Sequence, residues 1–135
     1  MNQEYSTRLL DLLIENGRRI LGAGFGLNYA EGSLFDVINF LRQEGDLKDH
    51  FLQRAKAAFA LREPNGLEPG SVPTELIELV AHELRWPEFR ELSQERVNKF
   101  FGGDLRLARG DLAAHVLDAY SDDWKDRIFY KRYAK

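Results

Sequence analysis

Pro87 constrains this chain more than any other residue. It sits inside the longest stretch with consistent helical periodicity, PTELIELVAHELRWPEFRELSQERVNKFF from Pro73 to Phe101. Its ring disfavours helical geometry at Trp86, so the stretch must break or kink between the two. Before the break, Leu76, Ile77, Val80 and Leu84 recur at helical intervals and predict one apolar stripe. Glu75, Glu78, His82 and Arg85 fall on the opposite face and are expected in solvent. Pro73 suits the first turn, where its missing N–H would have no partner. After the break a second helix restarts at Pro87, with Phe89, Leu92, Arg96 or Val97, and Phe100 on one side. Gly102 and Gly103 end it. Leu76, Val80, Leu84 and Trp86 are expected in the core of this corner.

The flanking sequence is helical too. A first helix is predicted over about Glu4–Leu21, with Tyr5, Leu9, Leu12, Leu13 and Ile20 inward and Leu10 and Ile14 broadening the stripe. A glycine-punctuated loop follows. Ser33 then caps a second helix with Leu34, Val37, Ile38 and Leu41 inside. Asp46 caps a third, where Leu47, Phe51, Ala55 and Phe59 recur. The prolines and glycines of residues 63–73 read as a long loop between two halves of one domain. Gly110–Asp111 reads as the cap of a helix over Leu112–Tyr120 that buries Leu112, Val116 and Ala119. Ser121 is expected to cap a last helix, with Asp122 and Asp123 in its first turn. In that helix Trp124, Ile128 and Tyr133 or Phe129 point inward and Tyr130 stays partly exposed. No alternating β-branched run predicts a strand. The expectation is an all-α, single-domain bundle of about six or seven helices, spanning residues 1–135 with the 73–101 pair at its centre.

Reaction chemistry finds little support. The loop GAGFG follows a helix rather than a strand and lacks Lys-Ser or Lys-Thr, which excludes a dinucleotide fingerprint and a P-loop. His82–Glu83 begins like a zinc-protease helix, but the second ligand position holds Trp86. His50 and His115 are isolated in sequence, and no local pattern groups three ligands. Neither a catalytic residue, a metal nor a cofactor is expected.

Charge is more informative. Glu63, Glu68, Glu75, Glu78 and Glu83 occur without an intervening Lys or Arg, whereas Lys125, Arg127, Lys131, Arg132 and Lys135 face Asp126 alone. The net charge of −3 disfavours nucleic-acid binding by the whole surface. Two surfaces remain: an acidic and aromatic one for a basic protein, and a basic final helix for phosphate. On this reading Glu75, Glu78, His82, Tyr130 and Arg132 are the candidate partner-binding residues. The absence of cysteine fits a reducing, cytoplasmic setting, and no run of about 20 apolar residues predicts a membrane span.

The phrases ELVAHELRWPEF and LDAYSDDWKDRIFYKRY resemble small helical bacterial proteins, some of them like the immunity proteins that accompany secreted toxins. The likeness covers roughly Pro73 to Tyr133. It implies a small, acidic, cytosolic protein without catalytic residues that occludes a basic toxin. It transfers no residue role. The favoured expectation is thus a non-enzymatic protein-binding module. The alternative is a nucleic-acid-associated regulator using the basic C-terminal helix.

Overall fold

A computed structural model describes residues 2–134. Six α-helices are present among them: α1 (Gln3–Gly22), α2 (Leu27–Gln43), α3 (Lys48–Ala60), α4 (Thr74–Leu84), α5 (Pro87–Phe101) and α6 (Leu112–Asp118). Four short 3-10 turns complete the pattern, at Gly45–Leu47, Leu105–Ala108, Lys125–Phe129 and Lys131–Tyr133. No strand occurs among the described residues. The all-α expectation therefore holds.

In α1 the Asn2 side chain caps the first turn, accepting from the Glu4 amide at 2.7 Å. The inward stripe is rotated from the expected one. Ser6, Leu10, Ile14, Gly17 and Leu21 are buried, whereas Tyr5 and Leu12 are 62% and 67% exposed. A leucine-rich helix offers two overlapping lines at helical spacing, and Gly17 chooses between them. A Cβ there would lie 2.8 Å from Leu34 Cδ2, so the missing side chain lets α2 approach closely.

Helix α2 begins at Leu27 behind Gly26, not behind a Ser33 cap. Ala30 is fully buried and extends the Leu34–Val37–Ile38–Leu41 stripe backward, and this burial outweighs the capping preference of Ser33. Ser33 instead accepts from Asn16 Nδ2 at 3.3 Å. Asp46 makes no capping bond either, because the chain enters α3 through a 3-10 turn. Phe51, Ala55 and Phe59 pack inward as the spacing requires.

Residues 61–73 form the expected loop, which folds back on itself. Gly66 has φ +73°, and a Cβ there would lie 2.1 Å from the Val72 carbonyl oxygen. Helix α4 then runs through the centre. Leu76, Ile77, Leu79, Val80 and Ala81 are all fully buried, the signature of a helix covered on every side. The corner falls where expected, with Arg85 left-handed at φ 55° and Trp86 extended before Pro87. Leu84 and Trp86 are only half-buried. Trp86 lies against Phe51 and Phe89 at the edge of the core, with Lys48 over its ring.

Arg96 settles the alternative left open in α5, since it and Val97 are both buried. Its guanidinium forms a fork with Asp111 through two 2.8 Å bonds. It also donates to the carbonyls of Phe59, Leu61 and Arg62. One side chain therefore closes the C-terminal end of α3 and steadies the residue that caps α6, as Asp111 also accepts from the Ala113 amide at 2.9 Å.

The final segment departs most from expectation. No α-helix follows Ser121; the chain runs through two 3-10 turns. Trp124 and Tyr130 are the extended residues that precede each turn, at ψ 147° and 129°, and these breaks bring positions 124, 130 and 133 to one face, which an unbroken α-helix does not give. Trp124 and Tyr130 are accordingly buried at 0% and 1% exposure, and Tyr133 is half-buried. Ile128, expected inside, is 75% exposed.

Candidate functional site

Of the α4 face expected in solvent, Arg85 is exposed, but the part at Glu78 and His82 is covered. His82 stacks its ring on Trp124 at 4.5 Å between centroids and meets Tyr133 edge-on at 5.2 Å. Its Nδ1–H donates to the Ala119 carbonyl at 2.8 Å. Tyr130 stacks on Trp124 and meets Phe35 of α2 edge-on. The Arg132 guanidinium lies 3.8 Å from the centroid of the Phe35 ring. The Glu31 carboxylate accepts the backbone amides of Lys131 and Arg132 at 2.8 and 3.1 Å. Tyr133 donates its hydroxyl to Glu83, which also pairs with Arg42. Burial pushes the Glu83 carboxyl up, but these two donors and the Arg42 charge bring it below its ordinary value.

Of the five expected contact residues, three are thus internal to the fold. Glu78 and Tyr130 are buried, and His82 is committed to Trp124 and Ala119. Glu75 is half-buried at the rim of a pocket. Arg132 remains exposed but lies on Phe35. The helical wheel could not reveal this, because the covering segment lies far along the chain and is not an α-helix.

Residues 124–133 thus form a clasp over α4, and beside it three elements meet. Glu78 comes from α4, His115 from α6 and Asp126 from the turn Lys125–Phe129. His115 Nδ1 lies 3.4 Å from Glu78 Oε2 and 3.1 Å from Asp126 Oδ2. Burial pushes the Glu78 carboxyl up to about 8, an effect that nearby Asp126 reinforces and His115 opposes. The contact with Glu78 raises His115 to about 9, against the opposing effect of burial. Both shifts keep protons on the cluster at neutral pH. A pocket of about 250 Å³ opens next to it, lined in part by Thr74, Glu75 and Gly110. The separations of 37 and 11 residues gave the sequence no local signature of this trio.

Three surface depressions are larger, of which one, about 710 Å³, lies open beside Asp11, Leu12 and Arg54, and the other two are grooves. One, about 420 Å³, runs between α3 and α5, with Asp49, Glu88, Glu91 and Glu95 around Leu52 and Leu92. The other, about 740 Å³, is lined by Leu105, Arg106, Arg109, Ala114, Leu117 and Lys125, among others. No protein-family model, curated protein or solved structure matches this chain. Among the described residues no helix is long and apolar enough to cross a membrane.

Proposed function

We propose that this chain is a non-enzymatic protein-binding module, in its sharpest form a cytoplasmic bacterial immunity protein that neutralises a basic toxin. The contact surface is the α3–α5 groove rather than the α4 stripe. The make-up of that groove carries the reading: four carboxylates surround two leucines, with Lys56 the single base of the lining. Glu91 and Glu95 are exposed, and Glu88 is paired with Lys48 at 3.1 Å. The leucines offer apolar area to bury, and the carboxylates select a positively charged partner and speed its approach.

The non-enzymatic part of the reading rests on the histidines. His82 is bonded to a backbone carbonyl, while His50 and His115 lie against carboxylates. None is hydrogen-bonded to a serine or threonine hydroxyl among the described residues, so no activated nucleophile supports hydrolysis.

The nucleic-acid alternative draws on the second groove, where Arg106, Arg109 and Lys125 surround an apolar floor. It no longer draws on a basic helix, since Arg127 donates to the Asp123 and Trp124 carbonyls. Two charge reversals separate the readings: Glu91→Lys with Glu95→Lys, and Arg106→Glu with Arg109→Glu. Association is measured at low and high salt with a panel of basic toxin domains, and with duplex DNA. The acidic-groove variant should slow protein association by about tenfold or more at low salt, and by less at high salt. Loss of binding in the Arg106/Arg109 variant alone, or tight binding to DNA, would replace this reading with the alternative.

A further inference from the structure

The Glu78–His115–Asp126 cluster has no place in the protein-binding surface, yet its construction is specific. Each residue comes from a different element, and their ligating atoms all lie within 4.8 Å of one another. It is the single such group of three among the described residues. A tetrahedral ion with bonds of about 2.0–2.1 Å holds its ligands about 3.3–3.4 Å apart. The observed separations of 3.4 and 3.1 Å lie close to that edge length.

The surroundings point independently to a cation. The Glu78 side chain is only 8% exposed, and among the described residues its one ionic partner is the half-exposed His115. Burial holds a proton on Glu78 in the absence of an ion, and a divalent ion bound between the three side chains would take that proton's place. The adjoining pocket adds a third acid, Glu75, and no lysine or arginine lines it. The cavity of about 250 Å³ thus gathers three acidic side chains and one histidine.

We propose that Glu78, His115 and Asp126 bind one divalent transition-metal ion of the zinc type. One imidazole nitrogen with two carboxylate oxygens suits zinc, whereas calcium and magnesium favour fuller oxygen shells. The pocket beside Thr74 and Glu75 leaves room for water or a further ligand at the open position. The ion joins α4, α6 and the first C-terminal turn in a chain with no cysteine to form a disulfide. Its role is to fix the clasp over α4.

The test uses the full chain without a purification tag, stripped with chelator and titrated with zinc, magnesium or calcium chloride in a calorimeter. Zinc should bind at one equivalent per chain, and magnesium and calcium should not. At a hundredfold excess over Kd, zinc should raise Tm by roughly 5–10 °C. His115→Ala, whose side chain is half-exposed, should fold in chelator like the parent and bind zinc at least tenfold more weakly. Asp126→Asn should do the same, which guards against a folding defect in Glu78→Gln. His50→Ala should bind normally. No zinc uptake by the parent, or unchanged uptake by both His115→Ala and Asp126→Asn, would overturn the proposal.

Discussion

Residues 3–60 reach the core through helices of 20, 17 and 13 residues. Beyond Asp104 the longest helix has 7 residues, and 3-10 turns do much of the work. In the first region apolar stripes fix the geometry, and the exposed pair Arg8–Glu4 is a minor ornament. In the second, individual side chains hold the backbone: Glu31 takes two amides, Asp111 caps α6, and Asp118 accepts from the Lys125 amide at 2.8 Å. Periodic burial tolerates the loss of single contacts. A clasp built from named partners does not.

The sharpest way to break this contrast is Trp124→Ala, which removes the centre of the clasp and should cost about 3–5 kcal/mol in a denaturant titration. A cost below about 1 kcal/mol would mean that the clasp lies outside the cooperative core. Arg96→Met should follow, at roughly 3 kcal/mol, because it leaves Asp111 and three carbonyls without their donor. This variant also carries a pH signature. Burial pushes Asp111 up, but hydrogen bonds from Arg96 and the Ala113 amide more than offset it, so its carboxyl sits below the ordinary value. A lowered group stabilises the fold above its unfolded-state value, and that stability is lost as the pH falls through the carboxylate range. Unfolding measured between pH 7 and pH 3 should therefore show a shallower acid loss in Arg96→Met than in the parent. In the helical region, Gly17→Val should cost about 1–3 kcal/mol by forcing α1 from Leu34. A cost above that of Trp124→Ala would reverse the comparison.

The same contrast explains what could be read from sequence. The corner at Trp86–Pro87, the α3 stripe and the Asp111 cap depend on neighbours in the chain, and each was legible. The line chosen by α1 depends on how closely α2 approaches, a fact carried by the absent side chain of Gly17. The last segment was not legible because helical spacing assumes an unbroken helix over 124–133, where extended backbone at Trp124 and Tyr130 interrupts two short turns. That spacing leaves Tyr130 partly exposed, while the α4 wheel by itself leaves Glu78 and His82 in solvent. Helical spacing also hides the trio at Glu78, since His115 reaches it through the packing of α6 on α4 and Asp126 through the turn Lys125–Phe129.

The amides of Lys131 and Arg132 meet Glu31 across a hundred positions of chain. Such a contact forms late, because a long loop must close before it gains anything. At about 5–20 residues per second, the ribosome delivers residues 124–133 some seconds after α4 is complete. Throughout that interval the side of α4 that meets Trp124 is bare. A nascent chain stalled before Trp124 would display this surface to chaperones, and ribosome profiling combined with chaperone pull-down would register the interval as a peak of engagement that ends once Tyr133 has emerged.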